Sequence, residues 1–351
     1  MQLQTNTAKL GEVKYRQKIV KQHLGETVHF PSEPTAKQFN QIVKNKLKET
    51  EKTFRKLQKR NIKLSPYLEI GSEHCLRPAL LESKFKAKGF ATDISLYSLM
   101  EAPRFARIFK FKKTPQAILA DAYNLPFKSN SFPFIFIYET LHHFPNPKPV
   151  LEEIKRVLAP GGACLIGADP IKQAFQIQFW RRPTKLRDWE KLLKATLLLP
   201  FISHIGKTEV EHGIIETAFS LKTWQDALSV FDKVEVTMKA FPWGPTESVK
   251  KTQKENWISP SLKTKLALYL FGGGLQALCF KTGSSQIKIR SLSDTLICPN
   301  CKVSEKQENV IKKEKATFIC PKCKSVYKKY HGVLVLLESS LRNLLLGNLK
   351  K

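Results

Sequence analysis

Two groups of residues in this chain have types and spacings suited to chemistry. The first sits at the ends of apolar runs. Ala117-Ile118-Leu119-Ala120-Asp121 is a short apolar run ending in a carboxylate. Phe132 to Glu139 is a second run, rich in β-formers, and Ala163 to Asp169 is a third. Between the last two, Pro149 to Leu158 carries apolar residues at helical spacing, and Ala159-Pro160-Gly161-Gly162 stops that helix. Strands alternating with helices at this pitch predict a parallel α/β sheet. Such sheets bind ligands beyond the carboxyl ends of their strands, where Asp121, Tyr138, Glu139 and Asp169 fall. The second group is four of the seven cysteines, arranged as Cys298-Pro-Asn-Cys301 and Cys320-Pro-Lys-Cys323 with eighteen residues between the pairs. Two thiolates converging from a tight turn hold one side of a metal, and two such pairs close a tetrahedral zinc site. A disulfide pairing is the weaker reading for a chain without export features. Four thiolates leave no open coordination position, so Zn2+ here is structural and supplies folding energy. Cys75, Cys164 and Cys279 have no paired spacing, and the last two lie in buried-strand patterns.

The ordered string Asp121-Ala122, Leu125-Pro126-Phe127, Ser131-Phe132, then Leu141-His142-His143-Phe144-Pro145 and Pro147, then Leu151, Glu153-Ile154, Arg156-Val157-Leu158 and Pro160-Gly161-Gly162, resembles the second half of class I S-adenosylmethionine-dependent methyltransferases. The resemblance implies a Rossmann-like, seven-stranded methyltransferase sheet with helices on both faces. The first half then holds the cofactor loop. Tyr67-Leu68-Glu69-Ile70-Gly71 reads as a strand running into a tight turn, Pro78 to Phe85 as a helix start, and Gly89 to Asp93 as the second strand. A glycine lets the backbone approach the methionine part of the cofactor, and a carboxylate ending the second strand can accept both ribose hydroxyls. By the resemblance, Glu69, Gly71, Asp93, Asp121, Ala122 and Tyr138 are the cofactor-binding residues, with Asp121 and Ala122 bordering the adenine. Tyr138, His142 and His143 follow the fourth strand, where the family faces the methyl group. Either histidine is a candidate base, or a shaper of the turn before Phe144-Pro145. Two departures stand out. The family's loop has three alternating glycines, and this chain reads Gly71-Ser72-Glu73-His74-Cys75; Pro133 stands where the family has aspartate.

At 351 residues, with 42% hydrophobic and 10% aromatic residues, the chain can bury a large core. The expected organisation is a basic, mainly helical N-terminal extension over 1–61, a methyltransferase domain over 62–283 with a cap insertion over about 170–217, and a zinc-ribbon domain over 284–351. Residues from about 34 to 63 read as one long polar helix with a thin apolar stripe through Phe39, Ile42, Val43, Leu47, Phe54 and Leu57. Val234 to Met238 and Gly274 to Lys281 read as the last two strands. In the cap, Trp180, Arg181, Arg182, His204 and His212 are candidate substrate readers. The tail, with Tyr327, Tyr330 and Gly332-Val333-Leu334-Val335-Leu336-Leu337 after the second cysteine pair, resembles the small zinc-binding activator subunit of tRNA and protein methyltransferases.

The net charge of +29 suits either a solvated lysine-rich surface or attraction to polyanions, so nucleic acid is admitted as a partner but not demanded. The first eighteen residues lack the apolar core of a signal peptide, and no apolar run reaches the length of a membrane span, which predicts a cytoplasmic chain. The leading expectation is methyl transfer to a small or carrier-linked substrate of glycan, lipid or quinone type. No Asn/Asp-Pro-Pro-aromatic signature follows the fourth strand, where Tyr138-Glu139-Thr140-Leu141 stands instead. An RNA or ribosomal-protein methyltransferase and a catalytically inactive methyltransferase-like scaffold are the alternatives.

Overall fold

The computed structural model describes residues 2–23, 36–172, 192, 195–196, 218–240, 244, 246–251, 260–284 and 291–347. Two N-terminal helices, α1 (Gln2–His23) and α2 (Ala36–Lys59), precede the first strand. Then come β1 (Tyr67–Ile70), α3 (Leu76–Phe85), β2 (Gly89–Asp93), α4 (Leu96–Met100), α5 (Ala102–Ile108), β3 (Gln116–Leu119), β4 (Phe132–Tyr138), α6 (Lys148–Val157) and β5 (Leu158–Ile171). After residue 217 follow α7 (Leu221–Leu228), β6 (Lys233–Ala240), β7 (Thr246–Lys251), α8 (Leu262–Phe271) and β8 (Gly273–Phe280). The tail contributes α9 (Pro299–Glu305), β9 (Lys312–Glu314), β10 (Thr317–Ile319), β11 (Val326–Tyr330), β12 (Val333–Val335) and α10 (Ser339–Leu346).

The strands form one mixed sheet in the order β7-β6-β8-β5-β4-β1-β2-β3-β12-β11-β10-β9. This corrects the expectation of seven strands. Seven do run consecutively as β6-β8-β5-β4-β1-β2-β3, and five more extend the two edges. The central strands β3, β2, β1, β4 and β5 are parallel, and β8 returns antiparallel to β5. β4 is an almost unbroken apolar run because both of its faces are covered, as a central parallel strand requires. On α6 the buried residues Val150, Leu151, Ile154 and Val157 fall on one helical face, and Pro149 sits in the first turn where its missing N–H costs nothing. Phe54 and Leu57 of α2 are buried against Tyr67, Phe134 and Phe136, so the C-terminal part of the stripe read in the sequence is a packing face, whereas Ile42 is exposed.

The added strands at the β3 edge have a specific cause. Leu334 and Val335 of β12 pair in parallel with Ile118 and Leu119 of β3, and the Leu336 N–H donates to the Leu119 carbonyl at 3.0 Å. Side-chain alternation does the rest. Val333, Val335 and Leu337 pack with Ala91, Leu96, Leu99 and Leu119 on one face. Leu334 and Leu336 join the main core on the other. Strands from both sides of the expected boundary at 283–284 therefore pair within one sheet. Further ties cross it: Glu308 accepts from Ser129 N–H at 2.9 Å and from Arg156 at 2.5 Å, and the Lys128 N–H donates to the Thr295 carbonyl at 2.7 Å. Trp180, Arg181, Arg182, His204 and His212 of the expected cap lie outside the described residues. No described helix is long and apolar enough to cross a membrane.

Candidate active site

The carboxyl ends of β1, β2, β3 and β4 converge on one cleft of about 980 Å³, its open mouth included. Gly71, Asp93, Asp121, Ala122, Tyr138 and His143 all line it. Gly71 ends β1 with φ of +68°, and a Cβ there would collide with the Thr140 side chain, so only glycine fits the turn. Asp93 is aimed by its neighbours: Oδ2 accepts the Glu73 N–H and Oδ1 the Ser95 N–H, each at 2.8 Å. Burial nevertheless pushes its carboxyl up to about 6. Asp121 accepts the Tyr123 N–H at 3.1 Å through Oδ1 and pairs with Lys9 at 2.6 Å through Oδ2. The Tyr138 ring lies under the Arg77 guanidinium, 4.5 Å away.

The loop after β1 keeps the backbone of a glycine loop without its glycines. Glu73 and Cys75 stand where the family has its second and third glycine, and both adopt left-handed conformations, with φ of 49° and 57°. Each L-residue there costs roughly 1–2 kcal/mol. The buried Cys75 side chain, packed with Ala91 and Val333, and the His74 ring, stacked on Phe105 at 3.8 Å, offset that cost.

Three of the expected site residues sit differently from the rest. Glu69 lies beneath the loop, 1% exposed, where it accepts from the Ser72 hydroxyl, and it does not line the cleft. Burial pushes its carboxyl up to about 8 against the pull of Arg77. His142 is likewise buried, its Nδ1 2.9 Å from Asp169 Oδ1, whereas His143 reaches the cleft with its ring 4.1 Å from that of His142. Asp169 itself is fully buried and orients His142 rather than a ligand.

Sequence reasoning missed the contribution of α1. Lys9, Glu12 and Arg16 all line the cleft. Their i, i+3, i+7 spacing puts them on one helical face, and that spacing was the available signal. Arg16 donates to Glu12 at 2.8 Å and pairs with Glu73, and Gln17 donates to the Tyr97 hydroxyl at 2.8 Å. Among the described residues, five carboxylates thus line the cleft (Glu12, Glu73, Asp93, Asp121 and Glu139) against three cations (Lys9, Arg16 and Arg77), and Lys46, outside the lining, pairs with Glu139 at 2.7 Å. In a chain of net charge +29, the described lining of this cleft thus holds more carboxylates than cations.

At the other edge of the sheet, the Sγ atoms of Cys298, Cys301, Cys320 and Cys323 all lie within 4.8 Å of one another. Cys298 to Cys323 is 3.4 Å and Cys301 to Cys320 is 3.7 Å. A tetrahedral zinc with bonds of about 2.3 Å needs sulfurs roughly 3.8 Å apart, so the donor set fits. The Tyr327 hydroxyl lies 3.0 Å from the Cys298 sulfur, a contact that orients this thiol from outside the set. Cys164 and Cys279 instead face each other across β5 and β8, fully buried, as core residues.

A family model described as a methyltransferase domain matches residues 68–166, the span from β1 to β5 that carries the cleft. Among curated proteins, a malonyl-[acyl-carrier protein] O-methyltransferase of Alcanivorax borkumensis is 37% identical over 93 residues, covering 26% of this chain and 30% of that protein. A phthiotriol/phenolphthiotriol dimycocerosates methyltransferase 2 of Mycobacterium ulcerans, itself assigned by inference, is 32% identical over 115 residues, covering 32% and 40%. The chain spans 27–40% of the length of the curated relatives it matches. Among solved structures, a protein of Galdieria sulphuraria provisionally assigned as a sarcosine dimethylglycine methyltransferase aligns with 77% of this chain and 98% of its own, at 14% identity and a TM-score of 0.47. Residues 68–166 of this chain are thus similar to a methyltransferase domain.

Proposed function

We propose that the whole protein is an S-adenosylmethionine-dependent methyltransferase acting on a small or carrier-linked substrate of lipid, quinone or glycan type. The observation that carries this reading is the meeting of Gly71, Asp93, Asp121 and Ala122 around one cleft at the carboxyl ends of β1, β2 and β3. The residues suit the cofactor: a glycine turn packed against Thr140 at the end of β1, and two oriented carboxylates for hydroxyl and amino donors. When bound, the cofactor supplies an electrophilic methyl group on a sulfonium, and the chain's task is to position the acceptor in line and exclude water. Tyr138, Thr140 and His143 line the cleft after β4 and would face the acceptor. His143 is the histidine in reach of a proton on it, while His142, held by Asp169, sets the shape of that turn. The substrate class draws support from curated relatives named for malonyl-carrier-protein, phthiotriol and demethylmenaquinone methylation. The tail would hold one structural Zn2+ through Cys298, Cys301, Cys320 and Cys323 and brace the β3 edge from within the same chain.

Calorimetric titration with S-adenosylhomocysteine tests the reading. Binding is expected, and Asp93→Ala should weaken it about tenfold to a hundredfold by leaving ligand hydroxyls unpaired. Absence of binding at millimolar ligand would leave the inactive scaffold as the better description. The net charge of +29 favours a second reading, in which the acceptor is RNA or a ribosomal protein. Filter binding to RNA across a salt series should then show a steep negative slope, and a flat one removes it.

A further inference from the structure

Glu12 is the only acidic residue in α1, and it faces the cleft. Its Oε1 accepts from the Arg16 Nε at 2.8 Å, and Arg16 spends its Nη1 on Glu73. The other oxygen, Oε2, is fully buried and has no hydrogen-bond partner among the described residues. Burial opposes ionisation, but Arg16 and then His143 outweigh it and hold the carboxyl below the usual carboxylate range. A buried, ionised oxygen without a donor is costly, so the site calls for a donor from a ligand. Among the described residues the lining holds more carboxylates than cations even with Lys46 paired to Glu139, which favours a cationic donor.

We propose that Glu12 receives the α-ammonium of the cofactor's methionyl group, an inference that rests on the cofactor reading above. Asp93 and Asp121 suit the nucleoside hydroxyls and base, which have no cationic group. The ammonium is the one hydrogen-bond donor on the cofactor with a positive charge, and Glu12 is the lining carboxylate with a vacant buried oxygen. The pairing also accounts for the loop. Glu73, in place of a glycine, brings a negative charge to the turn, and Arg16 bridges it to Glu12. The helix α1 thereby takes over recognition of the amino-acid end from a loop that has lost its glycines.

The experiment titrates the full chain with S-adenosylhomocysteine and with its des-amino analogue, in which hydrogen replaces the ammonium. The wild type should prefer S-adenosylhomocysteine by about tenfold to a hundredfold, the range for a hydrogen bond to a charged group. Glu12→Gln should bind both ligands within about threefold of each other and bind the analogue as the wild type does, which also reports an intact fold. Asp93→Ala should weaken both ligands alike. The proposal is overturned if Glu12→Gln keeps the wild-type preference, if the wild type has none, or if the substitution weakens both ligands equally, the signature of a residue that only docks α1. A wild type that binds neither ligand would instead refute the cofactor reading itself.

Discussion

Leu336 offers a direct measure of whether the tail and the cleft fold as one unit. Its side chain is 1% exposed within the main core, and its N–H donates to the Leu119 carbonyl two residues before Asp121. Leu336→Ala keeps that backbone bond and removes the packing. Truncation of a fully buried leucine costs about 2–5 kcal/mol, which at about 1.4 kcal/mol per tenfold raises the unfolding equilibrium roughly 30- to several thousand-fold. The chain carries its own reporters for where that cost is felt. Cys75, in the loop after β1, and Cys164 and Cys279, on β5 and β8, are buried in the part of the fold that carries the cleft, and Cys298, Cys301 and Cys320 are buried in the tail. Pulsed thiol labelling across a urea series, read by peptide mass spectrometry, follows both sets in one experiment. Both should become reactive over the same urea range, and Leu336→Ala should move both to lower urea together. If the tail cysteines label first and the substitution shifts only them, the tail is a separate domain and the continuity of the sheet carries no cooperativity.

Three other outcomes are expected. Glu69 keeps its proton in the folded chain up to about 8 but ionises near its ordinary value of 4.5 once unfolded. Stability is therefore full below that ordinary value and falls, on the order of a few kcal/mol, as pH rises towards 8; urea melts of Glu69→Gln should lose most of that slope, and an unchanged slope would reject the assignment. Elemental analysis of protein purified under reducing conditions should find one zinc per chain, and Cys301→Ser should abolish stoichiometric binding; zinc-free wild-type protein would reject the metal. Gly71→Ala should cost roughly 1–3 kcal/mol of stability and weaken S-adenosylhomocysteine at least tenfold, because the new Cβ meets Thr140 at a left-handed φ; wild-type affinity would mean the turn is not part of the site.

The parts of this fold governed by local rules were legible in the sequence. Apolar runs gave β3, β4, β5, β6 and β8, and helical spacing with a proline start gave α6. Gly71, Asp93 and Asp121 were placed by their positions at strand ends, and the thiolate set by its spacing. What stayed hidden depends on contacts distant in the chain. Val333-Leu334-Val335 reads as a short strand, but nothing local says that it pairs with β3 some two hundred residues earlier. The roles of Lys9 and Arg16 exist only once α1 docks beside Asp121 and Glu73. The division between His142 and His143 is also non-local, since it turns on Asp169 at the far end of β5.

The family match stops at residue 166, and the features that distinguish this chain lie on either side of it. From the N-terminal side, α1 inserts Lys9, Glu12 and Arg16 at the mouth of the cleft. From the C-terminal side, β12 covers the edge of β3, which otherwise would present unpaired backbone beside the cleft-lining carboxylate Asp121. Both additions act on the same weakness. A loop whose left-handed positions are filled by Glu73 and Cys75 stores unfavourable backbone energy, and a cleft rich in carboxylates repels itself. Arg16 and Lys9 neutralise two of those charges, and Val333 packs against the Cys75 that holds the loop. Strain at the loop and support from both ends of the chain are thus coupled. Loss of either support should be felt as loss of cofactor affinity before it is felt as loss of the sheet, because the loop is the element with least local reason to keep its shape.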